Sequence, residues 1–499
     1  MIHLIMLSRP FFALFALLLV VGVIRLLLIG YGLPLHLYAD EEVNVYSALK
    51  MIHLQTLLPV LHSDAFVILY EPPLLAYLYT LLFLPIILLF SLMNDMPSFS
   101  ALADPIVLDP SIFFLVGRAL TVLISLGSIY LVYEIGRRLF SHHTTGIFAA
   151  LFLATSFTHT ALSATARHWE VSTFLSLISL LCILLYREKR SLWLCAAAGA
   201  ALGLSFGAGY LVFYAPCIGL ILLASEWERH RNTKKLIRPA LLFGISFTTI
   251  AILFIAVAPY PFSVQVLNHV SSQRHTIEGF LTFYSQTLIF YETPLFIGSL
   301  LGVVALIRNR ALHIAGFFAV FFLTVLPIMY VFLWDLDRYI HPLLPMLALL
   351  AAHGISSLPR RVAIGAGIAL VIYAAFLLPR FDLLAIRNDT RVAAHEWILA
   401  NIPEGSTILV DSERLRLPSS EEAVSLLEAV DPSIIRAPDR ITSSQSYDSY
   451  HIYLAVGENT QRVIGAASAA EPETYIVTDS WSDTKEIKVL VEGQQPIAV

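Results

Sequence analysis

The chain has 499 residues, 58% hydrophobic and 13% charged, with a mean hydropathy of +0.76 and a formal net charge of −5. Soluble domains carry about 25% charged residues, so the composition excludes an ordinary soluble globular protein, and no long basic run points to nucleic acid. The three cysteines, Cys182, Cys195 and Cys217, fall in apolar stretches and offer neither a disulfide framework nor zinc spacing.

Apolar segments of about 17–25 residues read as bilayer spans. In chain order they fall near 10–30, 112–136, 144–163, 169–186, 191–208, 210–226, 238–258, 285–307, 311–333, 340–358 and 361–379. The first has no small-residue cleavage site behind its apolar run and reads as an anchor. Directly after it come Asp40, Glu41 and Glu42, adjacent carboxylates at the mouth of a span, where a membrane protein has little structural use for them. The stretch 74–92 is long enough to cross, but Glu71, Pro72 and Pro73 open it and Pro85 interrupts it.

Positive charges set sidedness. Arg137 and Arg138, Arg187 to Arg190, Arg229 to Lys235, Arg308 and Arg310, and Arg360 and Arg361 lie an even number of spans apart and share one face, expected to be cytoplasmic. The links near 164–168, 259–284 and 334–339, and everything beyond Arg380, then face outward. A crossing 74–92 would leave Asp40 in the cytoplasm; an interfacial or re-entrant one would set it with the outward links. The expectation is a polytopic α-helical membrane protein of about eleven spans plus interfacial helices over residues 1–380, with an outer loop at 31–111.

Residues 381–499 have the texture of a small soluble α/β domain outside the membrane. Asp389 is placed to cap a helix running to Asn401, and Ser406 to Asp411 reads as a strand. Ser419-x-x-Glu422 reads as a capping box opening a second helix. Runs at 451–456, 474–479 and 486–491 are strand-like, and no glycine-rich phosphate loop accompanies them.

Four motifs follow one another along the chain. They are Asp40-Glu41 after the first span; Tyr70 to Leu74 with its Pro72-Pro73 pair; Gly117-Arg118 through Glu134 to Phe140; and Asp337 to Pro345 with Arg338-Tyr339. In that order and sidedness they resemble the GT-C glycosyltransferases of the protein O-mannosyltransferase and aminoarabinose-transferase type, which use polyprenyl-phosphate sugars. The likeness extends over about residues 10–380, and it implies that the segment after Pro73 is interfacial. Glu71 stands where that family usually has histidine, and the insertion near 93–111 is longer; both leave substrate identity open.

The resemblance implies that Asp40 and Glu41 are catalytic, with Asp40 as the general base that deprotonates an acceptor hydroxyl and gives inversion. Glu41 and Glu42 would raise its proton affinity by like-charge repulsion; the plainer reading is that all three acids cap a helix in water. Arg338, Tyr339, Arg167, His168 and Arg118 are the candidates for the donor phosphate, since arginine presents a planar fork to phosphate oxygens. Against this stand an ion pair of Arg338 with Asp335 or Asp337, an arginine at 167 snorkelling to headgroups, and His168 as a polar anchor. The loop with His269, Arg274 and His275 could cover the site, and Trp169 or Trp334 could stack on a sugar. A divalent metal ion held by the carboxylates with His168 or His341 is left open, because no compact ligand spacing occurs. The implied partners are the bilayer, a polyprenyl-phosphate-linked sugar as donor, and a glycan, lipid or protein acceptor. A bacterial plasma membrane is expected because no endoplasmic-reticulum retention signal ends the sequence. A lipid-linked-sugar flippase or transporter and a non-catalytic scaffold are the rivals. The gathering of charges at span ends, away from the midplane, argues against transport.

Overall fold

A computed structural model describes residues 9–35, 37, 38, 40–66, 69–93, 109–209, 214–230, 233–260, 263, 276–332, 336–386, 389–412, 414–430, 446–451, 461–465 and 474–478. The expected strand at 486–491 and residues His269, Arg274, His275, Trp334 and Asp335 lie outside these described residues.

Apolar runs in lipid must satisfy their own backbone, and helices do so within one segment. In order they are α1 (Arg9–Leu28), α2 (Glu41–His53), a 3-10 turn (Pro59–Phe66), α3 (Leu74–Met93), α4 (Ser111–Phe140), α5 (His143–Ala154), α6 (Phe157–Ser163), α7 (His168–Lys189) and α8 (Trp193–Ala208). There follow α9 (Tyr214–His230), α10 (Thr233–Val257), α11 (Ile277–Tyr291), α12 (Thr293–Arg308), α13 (Leu312–Phe332), a second 3-10 turn (Asp337–Leu343), α14 (Leu344–Ser356) and α15 (Arg360–Ile386). The chain then forms α16 (Thr390–Asn401), β1 (Thr407–Asp411), α17 (Glu421–Val430), β2 (Asp448–His451) and β3 (Thr474–Thr478).

All eleven stretches read as spans are helical where described, yet the count of full-length rods is lower. Among the described residues seven helices, α3 among them, are long and apolar enough to cross a membrane, and up to nine if each of two bent pairs is one span. The stretch 144–163 bends by 65° between α5 and α6, where Ser156 caps α6 by accepting from the His159 amide. The stretch 285–307 turns by 110° between α11 and α12. There Pro294 starts a new helix, since proline is accommodated in a first turn and not in an interior. The two breaks are tied together, because the buried Glu292 carboxylate accepts from Ser156 Oγ and from the Thr158 amide, each at 2.8 Å.

Two compact units divide the chain. The larger comprises Met1–Ile29, Asp40–Pro85 and Phe114–Asp382. Within it α8 meets α10 along Gly199, Gly203 and Gly207, spaced four apart on one helix face. A Cβ on Gly199 would lie 2.1 Å from the Phe243 carbonyl oxygen, so only glycine permits that approach. Small residues let backbones close up where lipid gives no hydrophobic drive to associate. Both α3 and α4 begin at the end of the bundle that carries Asp40: Tyr79 packs on Gly117, and Arg118 reaches Glu41. The link 94–110 is polar and proline-bearing, with no apolar run to recross a bilayer.

The smaller unit comprises Gly30–Ala39, Ile86–Phe113 and Leu383–Val499. Its sheet is parallel, in the order β2-β1-β3, with Thr407 opposite both Asp448 and Thr474. β1 is buried along its whole length, as a central parallel strand covered on both faces should be. Leu409 faces α17 with Leu427 and Tyr450, while Ile408 and Val410 face Ile398, Leu35 and Leu37. The ten residues after the first span thus complete a core that the sequence had suggested for the carboxyl-terminal region alone. The capping box expected at Ser419 and Glu422 does not form: Ser420 is the cap, its Oγ accepting from the Ala423 amide, while Ser419 bonds Ser449.

Asp389 caps α16 as expected, accepting from the Arg391 amide, and also takes the Arg391 guanidinium at 2.9 Å and the Tyr31 hydroxyl at 3.0 Å. Arg391 above all holds the Asp389 carboxyl down to about 2. A depressed carboxyl stabilises fully above its unfolded value of about 3.9, and the contribution is lost as pH falls through the folded value. Asp389→Asn keeps the cap but loses the charge pairing with Arg391 and is expected to lower stability by about 1 kcal/mol at neutral pH. Thermal unfolding should show this deficit constant from pH 7 to 5 and shrinking between about pH 4 and 2.

Candidate active site

Asp40 directly precedes α2 and takes a left-handed backbone conformation with φ of 66°. Non-glycine residues adopt it rarely, aspartate more readily than most. It stands at the capping position, yet its side chain makes no capping bond. Its Oδ1 accepts from the Tyr70 hydroxyl at 2.8 Å and its Oδ2 from Arg167 Nη2 at 2.6 Å. Arg338 Nη2 lies 3.5 Å from the same Oδ2. The Asp40 side chain remains 27% exposed, so a substrate can reach it.

Glu41 has a different environment one residue on. It is fully buried and takes Arg118 in a two-pronged bond, Nε at 2.9 Å and Nη2 at 2.6 Å. Its Oε1 also accepts from the Ala166 amide at 2.7 Å, and Arg118 Nη1 donates to the Ile29 carbonyl at 2.6 Å. The buried pair therefore joins α2, α4 and the turn before α7. Glu71 does similar work: its carboxylate takes Asn44 Nδ2 at 2.6 Å and lies 2.9 Å from His168 Nδ1. Burial first, then the neighbouring charges of Glu71 and Asp40, push the Tyr70 hydroxyl well above its usual value.

Of the residues singled out from sequence, Asp40, Arg167 and Arg338 meet directly. Tyr339 is buried beside them, its ring 5.1 Å from Trp169 and 5.5 Å from the Arg338 guanidinium. His168 stands behind, turned to Glu71. Glu41 and Arg118 are committed to each other. The expected like-charge pressure on Asp40 is corrected by this geometry, because Arg118 neutralises Glu41 and two guanidiniums flank Asp40. Trp169 is buried, which removes it as an open stacking platform. Tyr70 and Asn44 escaped the sequence reading; for Tyr70 the only signal was its place before Glu71-Pro72-Pro73.

The described residues include one group with metal-ligand geometry: His159, Glu170 and His341, with ligand atoms all within 4.8 Å of one another. Arg25 Nη2 lies 2.8 Å from His159 Nδ1. Arginine can only donate, so Nδ1 accepts and the neutral ring carries its hydrogen on Nε2, the atom that would have to bind the ion. In this tautomer His159 offers an ion no lone pair, and its Nε2 lies 3.1 Å from Glu170 Oε1 without making a hydrogen bond.

Residues 114–259 match the sequence model of the dolichyl-phosphate-mannose-protein mannosyltransferase family. The likeness to that family read from the motifs therefore holds from α4 through α10, a segment with both Arg118 and Arg167. No curated protein matches the chain by sequence. Among solved structures the chain is similar to ArnT from Cupriavidus metallidurans bound to undecaprenyl phosphate, at 14% identity and a TM-score of 0.49, covering 81% of this chain and 82% of that one. It is similar to the Archaeoglobus fulgidus oligosaccharyltransferase in complex with Zn and sulfate, at 13% identity and a TM-score of 0.42, covering 84% of this chain and 65% of that one. The same archaeal enzyme, AglB, in complex with an inhibitory peptide and a dolichol-phosphate gives 12% identity, a TM-score of 0.46, and coverage of 84% and 67%. The chain thus spans about two thirds of the length of the oligosaccharyltransferase.

Breaking a buried ion pair from one side leaves a charge without a partner and costs about 3–5 kcal/mol. Glu41→Gln is expected to destabilise the larger unit by that order, and thermal unfolding in detergent checks it. An unchanged midpoint would mean that Arg118 finds another anion.

Proposed function

We propose that the chain is a glycosyltransferase that moves a sugar from a polyprenyl-phosphate donor to an acceptor hydroxyl, with inversion, and that Asp40 is its general base. The observation that carries this reading is convergence. Two guanidiniums from elements far apart in sequence meet one partly exposed carboxylate, and Nε of Arg167 and of Arg338 is buried with no acceptor among the described residues. A buried donor without a partner is costly and calls for an explanation; a phosphate oxygen at each would supply one. The family match over residues 114–259 supports the same chemistry.

Polyprenyl phosphate is a good leaving group, so the donor needs little acid assistance. The remaining tasks are to hold the phosphate charge as it develops and to take a proton from the acceptor. Arg167 and Arg338, fixed in advance at a partly buried site, perform the first. Asp40, oriented by the Tyr70 hydroxyl, performs the second from the face of the sugar opposite the phosphate. Tyr339 flanks Arg338, and Glu41, Arg118 and His168 hold the elements in place without touching substrate. The distribution of positive charge supports an active site on the outer face of a plasma membrane, with a glycan, lipid or protein as acceptor.

Purified wild type and Asp40→Asn are to be compared on a panel of polyprenyl-phosphate sugars. Transfer or donor hydrolysis should fall about 10²–10⁴-fold while undecaprenyl phosphate binding is retained; equal rates would sink Asp40 as the base, and movement of lipid-linked sugar without cleavage would favour a flippase. Tyr70→Phe removes a hydrogen bond to a charged group, a loss of about 1.5–3 kcal/mol, and so a rate fall of about 10- to 100-fold. Because the Tyr70 hydroxyl is held far above its usual value, it stays a donor through the alkaline range. The alkaline limb of the pH–rate profile should therefore coincide in Tyr70→Phe and wild type.

A further inference from the structure

Beneath Asp40 lies a second set of ionisable groups that the proposed chemistry does not use. Arg25, His159, Glu170 and His341 have no exposed surface at all. Arg25 donates to Ser125 Oγ and His159 Nδ1, each at 2.8 Å. His159 Nε2 lies 3.1 Å from Glu170 Oε1, and His341 Nε2 meets the same oxygen at 2.8 Å. Ser128 Oγ donates to the other oxygen at 3.4 Å, and Thr173 Oγ1 lies 3.2 Å from His341 Nδ1. One carboxylate is thus approached from α4, α6 and the second 3-10 turn. Its charge is balanced by Arg25 through an imidazole.

The place of this carboxylate along the chain gives it a second meaning. Arg167 is the N-cap of α7, and Glu170 is the third residue of that helix, where side chains fold back beside the cap. Arg338 and His341 lie three apart in a 3-10 turn, where residues at that spacing eclipse one another. The buried 2.8 Å contact therefore links the two short segments that carry the arginines facing Asp40.

We propose that Glu170 and His341 are positioning residues that set the separation of Arg167 and Arg338, and hence the affinity of the site for a lipid-linked phosphate. The proposal rests on the reading of those arginines as phosphate ligands. The buried Glu170–His341 hydrogen bond at 2.8 Å is the physical basis. The bond spans the base of the site; cutting it leaves both arginines present but frees the 3-10 turn to slide against α7. A hydrogen bond to a charged group that is lost through such misplacement weakens binding on the order of 10- to 100-fold.

The test uses the full-length protein in detergent, with undecaprenyl phosphate as probe. His341→Ala and Glu170→Gln should each weaken binding by roughly 10- to 100-fold and raise KM for the lipid-linked donor, with kcat at saturation falling much less. Because His341 acts through Arg338, His341→Ala should have no further effect on binding in an Arg338→Ala background. His341→Gln, which keeps a donor, should restore part of the affinity. Arg338→Ala that binds the probe as wild type does would remove the phosphate reading and this proposal with it. Arg338→Ala that binds weakly while His341→Ala merely adds to it, or lowers folded yield at unchanged affinity, would overturn the positioning role alone. A stoichiometric divalent metal lost in Glu170→Gln would overturn it as well.

Discussion

A charged side chain without water around it must find its opposite, and the pairing of Glu41 with Arg118 is where this chain meets that requirement first. Both are fully buried, and the carboxylate also holds the Ala166 amide. Separating such a pair would leave two bare charges in a medium of low dielectric, so the bond fixes three elements at once. It anchors the first turn of α2, the entry of α4 and the turn that ends in Arg167. Asp40 and Arg167, one residue to either side of these anchors, are brought together as a consequence. The acidic motif thus divides its labour: the second carboxylate builds the scaffold and the first is left partly exposed.

The same logic is repeated in layers. Asp40 and its arginines form the accessible layer, Glu41 with Arg118 and Glu71 with His168 the next, and the Arg25–His159–Glu170–His341 set the deepest. Asp40 is 27% exposed, whereas Glu41, Arg118 and Glu170 have no exposed surface. The outermost charges stay able to exchange partners, while the inner ones keep their spacing rigid.

Much of the architecture was legible from residue patterns. The helical stretches, the cap at Asp389 and the strands at 407–411 and 474–478 all rest on local periodicity or turn chemistry, which a sequence carries openly. The breaks at Ser156 and Glu292 were missed because an apolar window averages over them, although Pro294 marked one. The face of Gly199, Gly203 and Gly207 was also in plain sight as a spacing of four. Arg25 is the clearest lost signal. An arginine inside the first apolar segment is expensive in lipid and points to a buried partner.

What the sequence suggested by itself was the class of environment: spans, a carboxyl-terminal α/β unit with strand-like runs, and ionisable groups gathered at helix ends. Those follow from burial preferences that act residue by residue. Which charges pair was decided only in three dimensions, because Glu41 finds partners 77 and 125 residues away and Glu170 one 171 residues away. The tertiary structure likewise decided that Leu35 and Leu37 complete the core of the second unit. Local pattern says that a buried charge or an apolar side chain needs a partner, and only the packing of distant segments says which one arrives within 3 Å.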